Sequence, residues 1–369
     1  MKRRKFIRSA GAGMAGILAA GAAPAFAQAA PEIKWRLASS FPKSLDTIHG
    51  AAEVIAKRVA AVSSNRFQIQ VFAAGEIVPG FQVADAVQNG TVQCGLTASY
   101  YYVGKDPTFA FGTAVPFGMN TRQFNAWWYV GGGDAIFNEF LQDYGIHALL
   151  CGQTGAQMGG WYRKEIKTVA DLKGLKLRIG GFAGQVLAKL GVVTQQIPGG
   201  EIYPALEKGT IDAAEWVGPY DDEKLGFHKV AKYYYYPGWW EGCAALHMYV
   251  NAKAWSELPK DYQALLEAAC FEGNATMLAR YDAYNPVALK RLVAGGTQLR
   301  AFSKPIMDAC YKAALELYAE TAAKNPKFQK VHDHAMKFME VEIPWFRVCE
   351  ANYDTYMQTG RKSVSVAGT

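Results

Sequence analysis

The feature that most narrows the fold is a pattern that occurs twice. Residues 75–79 read GEIVP, a helical stretch follows to Asn89, and Gly90 opens GTVQCGLTASYYY. Residues 200–204 read GEIYP, a shorter helix ends at Lys208, and Gly209 opens GTIDAAEWVGPYD. Both copies keep the order GEIxP, helix, Gly-Thr, β-branched residue, strand, tyrosine-bearing turn. Aligned on Gly-Thr, Tyr101 stands opposite Tyr220 and Thr97 opposite Trp216. Short α/β segments also share such an order by chance. A true repeat implies two lobes of similar build, each sending a strand end to one cleft, because ligands of open α/β sheets bind beyond the carboxyl ends of strands.

The flanking sequence agrees with an α/β class. Residues 33–38 and 66–72 alternate apolar and polar as strands do, with a helix expected from about 47 to 62 between them, a β-α-β opening. Residues 144–161, YGIHALLCGQTGAQMGGW, are strand-like and glycine-rich with no disordered linker, so crossing strands are expected to join the lobes. Residues 165–179 read as turn and strand, and GGFAGQVLAKLG as loop and helix. Beyond Asp261 the chain is largely helical, with a break expected at Pro286, an amphipathic run over 305–324 and another over 326–357 interrupted at Pro344. A helical third of this size suits packing or dimerisation; the last nine residues are expected to be loose.

The N-terminus MKRRKFIRSA, a Gly/Ala-rich apolar stretch and the A-x-A site at 25–27 make an export signal over 1–27. Arg3 and Arg4 before Lys5, Phe6 and Ile7 have the twin-arginine look, with Lys2 where Ser or Thr is more usual. Cleavage there leaves 369 − 27 = 342 residues, more than one core usually holds, and places the chain outside the cytoplasm. It also removes five basic residues and no acids. The mature balance is then 34 basic against 32 acidic residues, which gives no support to a nucleic-acid or membrane-surface partner. The six cysteines have no C-x-x-C and no zinc-like His spacing; mostly free, buried thiols are expected.

Candidate chemistry gathers in residues 209–242. Glu215 runs into Trp216, Glu241 follows Trp239 and Trp240, and between them lie a proline turn, an acidic run read as solvated, and four tyrosines. Buried carboxylates among aromatics need a cation or strong donors; half-exposed glutamates beside a packed aromatic core would need neither. Arg178 ends the strand-like LKLRI, where its planar fork would suit a carboxylate and where a surface salt bridge is the plainer alternative. RIGGFAG, over 178–184, lacks the dinucleotide G-x-G-x-x-G spacing; it offers a helix start whose free amides suit a small anion. Tyr100 and Tyr101 would wall a site with rings and hydroxyls or simply pack a core. Gln157 is an isolated amide that points to nothing by itself. Glu215 and Glu241 also fit a glycosidase-like acid and base, but there is no G-x-S-x-G and no His near a nucleophile; His332 and His334 read as a solvated face.

WRLASSFPKSLDTI, GEIVPG, LKGLKLRIGGFAG, GGEIYPALEKGTIDAAEWVGPYDDEKLGF and YYYYPGWWEG together resemble the extracytoplasmic substrate-binding subunits of TRAP transporters, the DctP group, over nearly the whole mature chain. E-W-V-G-P and Y-Y-Y-Y-P-G-W-W-E-G resemble the branch that takes 2-oxo acids. The resemblance implies a bilobal Venus-flytrap α/β fold with a long interlobe helix and a C-terminal helix exchanged between protomers of a homodimer. It implies lobe I over 28–154 plus about 243–281, lobe II over about 155–242 plus 282–335, and the dimerising helix over about 336–369. Arg178 then matches the arginine that pairs with the substrate carboxylate. Gln157, Glu215, Trp216 (through its carbonyl) and Glu241 match the set that holds a sodium ion. The expected ligand is a small 2-oxo monocarboxylate, pyruvate-like, delivered to TRAP membrane subunits; the alternatives are another organic acid such as lactate with calcium, and, from a different class, a secreted hydrolase using Glu215 and Glu241.

Overall fold

The computed structural model describes residues 31–360; the export signal expected over 1–27 and the expected loose tail lie outside them. The strands among these residues are, in chain order, β1 (Ile33–Ser39), β2 (Phe67–Phe72), β3 (Cys94–Thr97), β4 (Ile146–Gln153), β5 (Trp161–Tyr162), β6 (Lys176–Arg178), β7 (Val193–Gln195), β8 (Ala213–Ala214), β9 (Tyr233–Tyr236), β10 (Ala245–Asn251) and β11 (Gln298–Ala301). They form two sheets, ordered β2-β1-β3-β10-β4 and β11-β9-β5-β8-β6-β7.

The two sheets are copies of one plan. In the first, β1 pairs parallel with β2 and β3, and β10 runs antiparallel to β3 and β4. In the second, β6 pairs parallel with β7 and β8, and β5 runs antiparallel to β8 and β9. So β2-β1-β3-β10-β4 maps onto β7-β6-β8-β5-β9 with every direction kept, and the repeated Gly-Thr segments supply the equivalent strands β3 and β8. The antiparallel strand of each sheet arrives from the other sheet, β5 after β4 and β10 after β9. The strands therefore cross between the lobes at 154–160, in the glycine-rich middle where a crossing was expected, and at 237–244, and the chain crosses a third time between β10 and β11 over 252–297. A strand buried on both faces reads as a near-continuous apolar run, and β4, ALLCG at its centre, is buried at all but one position.

The helix expected from about 47 starts at Gly50 and runs to Val62, burying Ala51, Ala52, Ile55 and Val59. Beside it lies a 35-residue helix, Lys260–Ala294, about 50 Å long at 1.5 Å per residue. The expected break at Pro286 does not occur. A proline removes one helical N–H and crowds the preceding turn, and here tertiary bonds hold both sides. Tyr281 Oη donates to Asp221 Oδ2 (2.7 Å) and Asn285 Oδ1 accepts from Tyr220 N (3.0 Å). Past the proline, Arg291 pairs with Glu223 (2.5 Å). All three partners lie on the helix Pro219–Leu225 of the second lobe.

Helix Lys304–Ala322 is followed by Pro326–Phe346. The latter runs through Pro344, and the expected interruption comes three residues later as a π-helical turn, Arg347–Ala351, before helix Asn352–Gly360. Phe328 packs between Phe111 (5.0 Å, tilted) of the β3–β4 connection and Phe182 (5.6 Å, stacked) of the β6–β7 connection. Residues 326–335, expected with lobe II, thus touch both lobes. His332 and His334 are not a solvated face: one ring lies 5.9 Å from Phe328, and the other accepts Trp127 Nε1 at 3.0 Å. All six cysteines are free, five of them buried.

The long helix approaches β4 through Gly273, where a Cβ would lie 2.9 Å from Ile55 Cγ1 and 3.0 Å from the Cys151 carbonyl oxygen. Gly273→Val should lower folding stability by about 1–3 kcal/mol through overpacking; urea denaturation measures the loss, and a neutral outcome would mean that this contact is not tight.

Candidate functional site

Arg178 closes β6 between β7 and β8 and is 1 % exposed, which disposes of a surface salt bridge. Its Nε donates to the Ile197 carbonyl (3.0 Å), and its Nη1 donates to the Glu215 carbonyl (2.8 Å) and to Glu215 Oε1. Its Nη2 has no partner. Glu215 is the first residue after β8 and is fully buried, not half-exposed. Its Oε1 also accepts the Gly180 amide (2.8 Å), while Oε2 has no partner. Gly180 lies in the loop before helix Ala183–Lys189, so this bond uses a loop amide and not one of the helix's first amides. Trp216 lies under the Arg178 guanidinium at 5.1 Å. Its ring leaves no space for a side chain at Gly199, where a Cβ would come within 2.5 Å.

Gln157 and Glu241 sit on the two crossing segments and face one another. Gln157 N donates to the Glu241 carbonyl (3.1 Å), and Gly238 N donates to the Gln157 carbonyl (2.9 Å). Both side chains are buried, and Gln157 Oε1 and both Glu241 carboxylate oxygens have no partner. Tyr100 and Tyr101 come from the other lobe, on the turn Ser99–Tyr102 after β3, with rings stacked 5.1 Å apart. Tyr100 lies flat on Gly180 and Gly181. A Cβ at Gly181, whose φ is +67°, would sit 2.1 Å from the ring, so only glycine fits. Tyr102, the third of the run, is spent elsewhere, on Thr97 (2.8 Å) and the Ala84 amide (3.0 Å).

Tyr100, Tyr101, Gln157 and Trp216 line a small cavity of about 10 Å³, roughly one water's worth. Arg178, Glu215 and Glu241 do not line it; Phe41, Ile48, Thr154 and Leu246 are among the residues that do. Nothing in their local sequence marks them; they meet only because the sheets bring them together.

The electrostatics are unbalanced. Burial works against the charge on Arg178, but Glu215 beside it prevails and holds its pKa above the usual value. Burial raises the Glu215 carboxyl, with Arg178 and the Gly180 amide pulling it back. Glu241 is pushed well above the carboxylate range, first by burial and then by Glu215, with only Tyr100 and Arg178 opposing. The Tyr100 hydroxyl is the side-chain donor that lowers Glu241, but it stands outside close hydrogen-bonding geometry and leaves both carboxylate oxygens unpartnered. Arg178 and Glu215 offset each other, which leaves Glu241 over. Four buried oxygens without partners, on Gln157, Glu215 and Glu241, are the donors a hard cation takes. The spare Arg178 Nη2 is a donor for an anion. Among the described residues no three His, Cys, Asp or Glu side chains gather as a metal site; the oxygen set here is two carboxylates and an amide, to which the Trp216 carbonyl was expected to add a fourth residue.

The acidic run read as solvated is buried. Asp221 accepts from Thr47 Oγ1 (2.7 Å) and Tyr281 Oη (2.7 Å), and Asp222 from Trp161 Nε1 (2.9 Å) and Tyr234 Oη (2.7 Å). Burial raises their pKa values to about 6 and about 7 against those hydrogen bonds. Thr47 belongs to the first lobe, so Asp221 also links the lobes, next to the Tyr220–Asp46 contact at 3.1 Å.

Two like lobes joined by crossing segments, with buried unpartnered polar groups between them, define a bilobal solute-binding protein. The chain belongs to the bacterial extracellular solute-binding protein family 7, DctP, which it matches over residues 38–325. It is 52 % identical over 331 residues to a monocarboxylate 2-oxoacid-binding periplasmic protein of Nostoc sp., covering 90 % of this chain and 91 % of that one. A TRAP transporter solute-binding protein of Bordetella bronchiseptica superposes with a TM-score of 0.89 at 53 % identity, covering 91 % of this chain and 100 % of that one. It is a mixed-occupancy dimer with copurified calcium and picolinate in one site and the other site apo. One from Pseudoalteromonas atlantica, with bound sodium and pyruvate, gives 0.85 at 42 % identity over 87 % of this chain and 98 % of that one.

Glu241→Gln tests the leftover charge. It should abolish the rise in Tm that sodium or calcium gives the wild type by mass action, and leave the cation-free Tm no lower. Because the raised carboxyl must lose its proton to bind a cation, cation affinity should climb with pH up to the raised Glu241 pKa and level off above it. Calorimetry in buffers of different ionisation heat would read the released proton.

Proposed function

We propose that this chain is the periplasmic solute-binding subunit of a TRAP transporter and captures a small 2-oxo monocarboxylate, pyruvate-like, together with a cation. The observation that carries this reading is the set of unpartnered buried groups: one arginine nitrogen and four carboxylate and amide oxygens. Arg178 would hold the ligand carboxylate. Gln157, Glu215, Glu241 and the Trp216 carbonyl would hold the cation, and the ligand's carboxylate and keto oxygens would complete its coordination. Tyr100 and Tyr101 would close the site from the other lobe. The relatives named for 2-oxo acids and for pyruvate support the substrate class. A monocarboxylate brings one negative charge beside the surplus on Glu241, so cation and ligand should bind cooperatively. A sodium ion leaves that site one charge short of neutral and a calcium ion neutralises it, which keeps calcium, found in the B. bronchiseptica protein, as a second reading.

Export by the twin-arginine route belongs to the same proposal, with 1–27 as its signal. So do the lobe limits given above and a homodimer formed through the C-terminal helix. Val341, Ile343, Trp345, Val348, Tyr353 and Tyr356 are all at least half exposed on 341–356, a second copy is the partner that covers them, and the dimeric B. bronchiseptica relative supports it. A chemical role for Glu215 and Glu241 is disfavoured because Arg178 and the Gly180 amide occupy Glu215; incubation should return the oxo acid unchanged.

Tryptophan fluorescence or calorimetry with pyruvate, 2-oxobutyrate, 2-oxovalerate, lactate and succinate, each with and without cation, decides the reading. Oxo acids should bind, and more tightly with cation; binding of succinate alone would refute it. Arg178→Ala removes a charge-assisted pair of roughly 1.5–3 kcal/mol and should weaken the oxo acid about 10- to 100-fold. In light scattering the wild type should be a dimer and Trp345→Asp a monomer.

A further inference from the structure

We infer that Thr154 is a positioning residue for the cation: its hydroxyl dictates which end of the Gln157 amide faces Glu215 and Glu241. The inference rests on the cation reading above and adds the group that makes Gln157 an oxygen donor. Thr154 follows β4 where the first crossing segment begins, is 2 % exposed, and lines the cavity. Its main-chain N–H donates to the Ala244 carbonyl (3.2 Å) on the other crossing segment.

A threonine hydroxyl has one proton and two lone pairs. The Thr154 proton goes to the Gly155 carbonyl (2.8 Å). One lone pair accepts the Ala244 amide (3.0 Å). What remains toward Gln157, 3.2 Å away, is a lone pair, and a lone pair accepts only from the amide nitrogen. Gln157 must therefore turn its NH₂ to Thr154 and its Oε1 away, and that oxygen is one of the unpartnered buried acceptors.

Without this constraint the amide has reason to turn round. Glu241 is a buried acceptor without a donor, and an NH₂ group aimed at the carboxylates would satisfy it, at the expense of the cation. The Thr154 hydroxyl opposes that exchange. Its bond to Ala244 also ties together the two segments that carry Gln157 and Glu241, so one hydroxyl sets both the orientation of one ligand and its alignment with the next. Partners that orient metal ligands typically change metal affinity 10- to 100-fold when removed.

The test compares wild type, Thr154→Ser and Thr154→Val by calorimetry, titrating sodium and calcium into protein saturated with pyruvate and pyruvate into protein with and without each cation. Circular dichroism checks that each variant is folded. Thr154→Ser keeps the proton and lone pairs and should retain wild-type cation affinity within a few-fold. Thr154→Val keeps the shape but lacks the acceptor. It should bind cation about 10- to 100-fold more weakly, and the ratio of pyruvate affinity with cation to that without cation should shrink as much. A merely structural role would weaken both alike. On a Gln157→Glu background, where the side chain has two equivalent oxygens, Thr154→Val should have little further effect on cation affinity. A wild type whose pyruvate binding ignores both cations overturns the cation reading and this inference with it. A cation-dependent wild type with an equally dependent Thr154→Val overturns this inference alone, as does a Thr154→Ser variant that loses the dependence.

Discussion

One uncompensated carboxyl organises the centre of this molecule. Arg178 and Glu215 form a buried pair, and Glu241 adds a second carboxylate with no donor of its own. A buried charge without compensation is expensive in any fold. Its retention between the lobes makes sense where a positively charged partner completes the site. The same imbalance ties the cation to the anionic solute: each is poorly accommodated without the other. The unpartnered atoms, the raised Glu241 carboxyl and the tight aromatic wall are facets of that one constraint.

The repeated sheet plan places the constraint where it can be used. Because each sheet takes its antiparallel strand from the far side, the chain passes between the lobes at 154–160 and 237–244, and Gln157 and Glu241 sit on those passages. Arg178 and Glu215 stand at strand ends of the second lobe, and Tyr100 and Tyr101 at the equivalent end of the first. Tyr100 of the first lobe lies against Gly180 and Gly181 of the second, and Thr47 of the first donates to Asp221 of the second. The site is thereby built from both lobes and from what joins them.

Much of the architecture was legible in advance because it depends on local rules. Alternation marked β1 and β2, the Gly-Thr repeat marked β3 and β8, and the glycine-rich middle marked the crossing. Proline was read too strongly. Pro286 and Pro344 were expected to break helices, yet the first sits in a helix held by Tyr281, Asn285 and Arg291, and the second is absorbed by a π-helical turn. The polarity of Asp221 and Asp222 also misled, since aspartates beside a proline turn ordinarily face water. Their burial depends on Thr47, Trp161, Tyr234 and Tyr281, donors scattered over the whole chain.

The sequence by itself determined the class of fold, the doubling of the lobes and the short roll of polar residues from which a site had to be made. These are local or periodic properties: strand alternation, helix period, and a motif written twice. Only the tertiary structure decided that Arg178 is buried, that Glu215 is its partner while Glu241 has none, and that Phe41, Ile48, Thr154 and Leu246 wall the cavity. Whether a charge is compensated depends on which distant groups reach it once the sheets have packed. No spacing along a chain records that.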